Sequence, residues 1–200
     1  MRLFVALDID DSIRDRITRV LDEVSGFAPE ARWARPESLH VTLKFIGEQS
    51  GAQVDEIKCS LATMESDQFQ MNFRGYGFFP SARAPRVFWI GIESGPELAS
   101  LASSVDSKLA SLNIQKEKHA YNPHLTLARI SGRSASTHSA SLHKEKGDGP
   151  NRSFWPLQEK LEALPVPEFG TMTAREFFLY QSKPSPGGSQ YTKLARFALG

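Results

Sequence analysis

His40-Val41-Thr42-Leu43 and His124-Leu125-Thr126-Leu127 spell the same pattern, histidine, any residue, threonine, leucine. On a β-strand, residues two apart point to one face. His40 and Thr42 then share a face, while Val41 and Leu43 turn the other way, into a core. The same division holds for His124 and Thr126 against Leu125 and Leu127. An imidazole with an ordinary pKa of about 6.5 exists in either protonation state near neutrality. Two of them facing each other across a cleft suit proton transfer on both sides of a phosphorus atom. One takes a proton from an incoming oxygen and the other gives one to a leaving oxygen. The threonine hydroxyls suit donation to the non-bridging oxygens. A single histidine on a strand is more often structural, and threonine is common in strands. The case for a site therefore rests on the surroundings of each motif repeating as well.

They do repeat. "RLFVALD" (2–8) and "RVFWIGI" (86–92) both read as strands, at an offset of 86 − 2 = 84, and the histidines stand at 124 − 40 = 84. Ile13, Ile17, Val20, Leu21 and Val24 follow the first strand at helical spacing, with Asp10 or Asp11 as N-cap. Leu98, Leu101, Val105, Leu109 and Leu112 follow the second, opened by Gly95-Pro96. Each half thus runs strand, helix, loop, strand headed by a histidine. Around a pseudo-twofold axis the two His-Thr pairs would face one cleft, on paired central strands.

The rest of the chain fills out the halves. "GAQVDEIKCSLATM" (51–64) and "WPLQEKLEAL" (155–164) read as helices and "FQMNFRGYGFF" (69–79) as a long strand. "FGTMTAREFFLYQS" (169–182) and "SQYTKLARFAL" (189–199) read as two strands of a hairpin joined by "KPSPGGS". Residues 131–151 are polar, rich in Ser, Gly and Lys, and read as a surface insertion. The expected fold class is α+β, one domain of two intertwined lobes.

Composition narrows the function. Twenty-four basic residues against 23 acidic give a net charge of only +1, too little to track a long nucleic acid through many phosphates. A nucleic-acid substrate is expected to be touched at one end. Cys59 is the sole cysteine, so no intrachain disulfide forms. No apolar run approaches the roughly 18 residues of a spanning helix, and the opening run is too short for a signal peptide. A cytoplasmic monomer with no membrane partner is expected. Two distant histidines and one cysteine do not spell a metal site.

The chain resembles the 2H phosphoesterase superfamily and, within it, the bacterial RNA 2′,3′-cyclic phosphodiesterases, also known as the 2′-5′ RNA ligase family. The resemblance is carried by "RLFVALD", "RWARPESLHVTLKFIGE", "PRVFWIGI", "YNPHLTLAR" and "LYQSKPSPGGSQYTKLARFAL". It implies two pseudo-symmetric lobes, with antiparallel sheets and flanking helices, around a central cleft. It implies hydrolysis of a terminal RNA 2′,3′-cyclic phosphate to a 2′-phosphate without cofactor or metal, and a reversible, ATP-independent 2′-5′ joining of RNA ends. It makes His40 the proton donor and His124 the proton acceptor, an assignment that pseudo-symmetry hides from the sequence alone. The optimum is expected near neutrality, and the partners are RNA 3′ ends or small cyclic-phosphate nucleotides.

Several residues near the motifs have two readings. Lys44 shares the parity of His40 and is a candidate phosphate ligand. Arg129 has odd parity from His124 and faces away on a regular strand, yet the resemblance gives it a supporting or phosphate-binding role. Trp33, Tyr121 and Phe4 are either base-stacking platforms or core. His119, His138 and His143 have no repeat to support them. Two rival functions stay open: a non-catalytic binder of RNA ends, and a 2H phosphodiesterase for small cyclic nucleotides or 2′-5′ oligoadenylate.

Overall fold

The structure is a computed structural model that describes residues 1–130, 152–185 and 188–200, so the insertion read at 131–151 lies outside the described residues. In chain order the elements are β1 (Arg2–Leu7), α1 (Asp11–Val24), β2 (Arg32–Trp33), β3 (Val41–Glu48), α2 (Gly51–Ala62), β4 (Phe69–Phe79), β5 (Val87–Ser94), α3 (Pro96–Ala110), β6 (His124–Arg129), α4 (Trp155–Glu162), β7 (Glu168–Ala174), β8 (Glu176–Ser185) and β9 (Gly188–Ala198). Two antiparallel sheets result, one ordered β3-β1-β8-β9 and the other β2-β6-β5-β4-β7. Among the described residues no helix is long and apolar enough to cross a membrane.

The helices form where apolar residues recur at helical spacing. Ile13, Ile17, Leu21 and Val24 bury one face of α1, and Leu98, Leu101, Ala102, Val105 and Leu109 bury one face of α3. Helix α2 is held at its start by a capping box between Ser50 and Gln53. One apolar cluster joins α1 and α3 to the inner faces of both sheets. The opposite face of the first sheet carries its own small cluster of Phe4, Ala6, Phe178 and Tyr180, with Tyr191 against it.

Two sequence expectations about the strands change. The run 169–182 is two strands, broken at Arg175, and they belong to different sheets: β7 pairs with β4, and β8 pairs with β1. Both pieces are β-like in composition, so nothing local marks the corner. The hairpin of β8 and β9 holds, with residues 186–187 outside the described residues. The histidine strands are not paired central strands either. β3 is an edge of the first sheet and β6 the second strand of the other.

The repeat offset also splits in two. Ala6 pairs with Thr42 and Trp89 pairs with Thr126, so the partner strands β1 and β5 are equivalent at 89 − 6 = 83 while the motifs stand at 126 − 42 = 84. Both ladders then skip one residue at the same place. Val5 pairs with Lys44, passing Leu43, and Phe88 pairs with Ala128, passing Leu127. Each His-x-Thr-Leu motif therefore ends in a β-bulge, and the bulge reverses the inward-outward alternation for the residues beyond it. The burial follows: Leu43 and Lys44 are both buried, as are Leu127 and Ala128.

Candidate active site

The bulges decide which side chains reach the cleft. Thr42 and Thr126 precede them and face it; Phe45 and Arg129, equivalent by the motif offset, follow them and face it too. Lys44 and Ala128, between them, turn inward. Lys44 is thus not the phosphate ligand that regular alternation suggests. Its side chain is fully buried, and Nζ donates to Asp106 Oδ1 at 2.6 Å and to the Gln115 carbonyl at 2.8 Å, with Glu117 Oε1 at 3.8 Å. It ties β3 to α3 and to the segment after it.

Between the sheets lies a cavity of about 990 Å³, whose lining includes His40, Thr42, Phe45, Thr126, Arg129 and Tyr191. His124 itself does not line it, but its charge acts on His40. The two imidazoles are held alike. His40 Nδ1 meets the Ser38 carbonyl at 2.7 Å, and His124 Nδ1 meets the Asn122 carbonyl at 2.8 Å. A carbonyl only accepts, so each Nδ1 carries a hydrogen and each Nε2 is left for chemistry. Among the described residues nothing bonds to either Nε2.

Aromatic rings fix both histidines. His40 lies 4.8 Å from the Phe4 ring and 5.1 Å from Tyr191, which meets it edge-on. Phe4 is in turn stacked on Tyr180, centroids 5.0 Å apart. His124 has Phe79 edge-on at 4.9 Å and Trp89 at 6.3 Å. Trp89 can lie there because residue 77 is glycine: a Cβ at Gly77 would come within 2.2 Å of the indole. Burial pushes the His40 pKa down to about 4; the Ser38 carbonyl and Asp8 oppose that, while Arg129 and His124 add to it. Burial also lowers His124, helped by Arg129 and opposed by the Asn122 carbonyl. Arg129 Nη2 donates to Thr126 Oγ1 at 3.2 Å, which leaves the Thr126 hydroxyl proton for an acceptor in the cleft.

The stacking candidates are placed differently. Trp33 pairs with Ala128, so its ring goes to the core side, 6.0 Å from Phe88, and its Nε1 donates to the Ala28 carbonyl. Tyr121 donates its hydroxyl to the Thr42 carbonyl at 3.0 Å, joining the second half to β3, and burial raises its pKa. Phe4 is 3% exposed and forms the floor under His40. Trp33 is partly buried and still lines the cavity, Tyr121 is partly buried and outside its lining, and Phe45 is 58% exposed at the cleft wall.

The family comparison gives the halves a second meaning. The model of the family described as LigT like Phosphoesterase matches this chain twice, over residues 7–89 and 90–191. The chain belongs to the LigT-like phosphoesterases. The phosphoesterase is 34% identical over 197 residues to the RNA 2′,3′-cyclic phosphodiesterase of Archaeoglobus fulgidus, spanning 98% of this chain and 99% of that one. It is 29% identical to the protein of the same description from Methanothermobacter thermautotrophicus, over 100% and 99% of the two chains. Among solved structures, E. coli LigT complexed with 3′-AMP superposes with a TM-score of 0.74 at 25% identity, covering 99% of this chain and 97% of that one.

Sequence reading of the phosphoesterase missed Phe45, Tyr180, Tyr191 and Phe79. The available signal was weak: Tyr191 and Lys193 sit two apart on one strand, so they share a face. Lys193 pairs with Asp8 at 2.6 Å, and Asp8 with Arg14 at 2.8 Å, which anchors that face beside His40. Among the described residues no group of three or more His, Cys, Asp or Glu is gathered as a metal site would need.

Proposed function

We propose that this phosphoesterase hydrolyses a terminal RNA 2′,3′-cyclic phosphate to a 2′-phosphate, with His124 as base and His40 as acid. The observation that carries it is the matched pair of imidazoles, each with Nδ1 capped by a carbonyl two residues back and each two residues before a threonine in the cleft wall. The relatives described as RNA 2′,3′-cyclic phosphodiesterases and the LigT complex with 3′-AMP support the choice of substrate. His124 Nε2 takes a proton from water as the water oxygen bonds to phosphorus. The bond from phosphorus to O3′ breaks, and His40 Nε2 passes its proton to that oxygen. Thr42, Thr126 and Arg129 hold the non-bridging oxygens, whose charge grows in the transition state. The assignment of His40 as donor and His124 as acceptor is the one that the family resemblance implies. A 5′-hydroxyl in place of water gives a 2′-5′ phosphodiester by the same transfers, and the reverse reaction exchanges the two roles.

The test is turnover of an oligoribonucleotide ending in a 2′,3′-cyclic phosphate, beside the same RNA with a linear 3′-phosphate, a small cyclic nucleotide and a 2′-5′ oligoadenylate. Conversion of the cyclic-ended RNA to a 2′-phosphate is expected, with an unchanged rate in EDTA. Binding without turnover would make the protein an RNA-end binder. Loss in EDTA with recovery on adding a divalent ion would end the two-histidine reading.

The pH profile separates two states of the site. In the free enzyme the base must be neutral and the acid protonated, so kcat/KM is bell-shaped, with limbs that belong to the coupled pair. Both imidazoles are depressed, His40 to about 4, so both limbs fall below the ordinary 6.5. The kcat/KM optimum is therefore expected on the acid side of 6.5, not at neutrality as unperturbed imidazoles suggest. In the complex the phosphate anion favours protonation, so the kcat profile should lie at higher pH. Superimposable profiles centred at 7 or above would contradict this placement.

Phe45 is the open aromatic face for the terminal base. Stacking of a base on an aromatic ring is worth about 1–3 kcal/mol. Phe45→Ala should raise KM by about tenfold with kcat changed less than about threefold, and Phe45→Tyr should restore KM. An unchanged KM would show that the base lies elsewhere.

A further inference from the structure

Arg32 on β2 stands directly opposite Arg129 on β6 in the antiparallel ladder, so the two side chains project from the same face. Like charges in opposed positions of a ladder destabilise it, because the partners' Cα atoms are only about 4.5–5.5 Å apart. Elsewhere the chain compensates such cations: Arg74 meets Glu168 at 3.2 Å and Arg14 meets Asp8 at 2.8 Å. Among the described residues Arg32 has no carboxylate partner; Arg2, on the other wall of the cleft, stands opposite Glu48 in its ladder but forms no ion pair with it, Glu48 meeting the N-terminal ammonium instead. Arg2, Arg32 and Arg129 all line the cavity, and among the described residues no aspartate or glutamate does. This is a local excess of positive charge in a chain whose net charge is only +1.

One cyclic phosphate carries one negative charge, and Arg129 with the two threonines already serves it. Arg32 and Arg2 are left to meet a second anion, and a cavity of about 990 Å³ has room for more than one nucleotide. We propose that Arg32, with Arg2 across the cleft, forms a subsite for the phosphodiester on the 5′ side of the terminal nucleotide. The substrate class is then RNA chains of at least two nucleotides rather than cyclic mononucleotides. This rests on the reaction assigned above and deepens it. Arginine suits the task because its planar fork matches two oxygens of one phosphate.

The experiment compares kcat/KM for a cyclic-phosphate-ended tetranucleotide and a 2′,3′-cyclic mononucleotide, in wild type, Arg32→Ala and Arg2→Ala. Arg32 is exposed, so its removal should leave the fold intact. Arg32→Ala is expected to lower kcat/KM for the tetranucleotide by about tenfold, the scale of one charge-assisted hydrogen bond, and to leave the mononucleotide unchanged within about twofold. A tetranucleotide whose last internal linkage is a neutral methylphosphonate should lose the same factor in wild type and nothing further in Arg32→Ala. The wild-type salt slope for the tetranucleotide should exceed that for the mononucleotide by about 0.7, the value for one added contact to a single strand. Equal losses on both substrates, or no loss on either, would overturn the subsite. Failure of wild type to turn over either substrate would strike the reaction instead. Binding of the charged and methylphosphonate tetranucleotides to wild type and Arg32→Ala then decides the subsite by itself.

Discussion

His40→Ala and His124→Ala each lose about 10²–10⁴-fold in kcat on a cyclic-phosphate-ended RNA, and the double variant is little worse than the poorer single one. The non-additivity follows from the geometry of the reaction. In the proposed reaction both imidazoles act on one displacement, so once either proton transfer is lost the other has no concerted step to assist. The aromatic supports of the two rings differ, Phe4 and Tyr191 for His40 but Phe79 and Trp89 for His124, so each loss can be made without disturbing the other ring. Thr42→Ala and Thr126→Ala should cost less, about 1.5–3 kcal/mol each, because each removes one hydrogen bond to a charged group. Losses that multiply in the double histidine variant would mean that the two act in separate steps.

Asp106→Ala destabilises the fold by about 3 kcal/mol and lowers Tm by about 6–12 °C, while Lys44→Met costs less than about 1 kcal/mol. Removing Asp106 strands the Lys44 ammonium in a position with no exposure, with the Gln115 carbonyl and the more distant Glu117 as its remaining partners. Removing the charge with a side chain of similar length leaves Asp106, which is 19% exposed and can hydrate. Thermal unfolding of the two variants measures the difference. Lys44→Met should also keep its kcat/KM, because Lys44 lies behind the strand. A tenfold fall in kcat/KM for folded Lys44→Met would restore the phosphate-binding role that regular alternation gave it.

That reversal shows where sequence reading succeeds and where it stops. The helices α1 and α3, the strands β4 and β5 and the repeated His-x-Thr motifs follow from periodicity, because burial acts on every residue of a regular element. The cleft faces of Thr42 and Thr126 are legible for the same reason, lying before the irregularity. Lys44 and Arg129 lie beyond it, and each bulge exchanges inward for outward. A bulge is fixed by the ladder as a whole, and Leu43 and Leu127 look like ordinary strand residues. The switch of sheets at Arg175 and the two-residue strand β2 are likewise products of tertiary packing. Phe45 was illegible because its exposure depends on the bulge, and Tyr191 because β9 comes to His40 only through the long-range pairing of β8 with β1.

The roles of the two histidines can be separated by changing the leaving atom. A cyclic substrate with sulfur in place of the bridging 3′ oxygen expels a thiolate, which needs no proton. If His40 is the acid, this substrate should restore His40→Ala to near the wild-type rate and leave His124→Ala impaired, since water must still be deprotonated. Rescue of His124→Ala instead would exchange the roles. Rescue of neither would contradict the account of two histidines acting on opposite sides of one phosphorus.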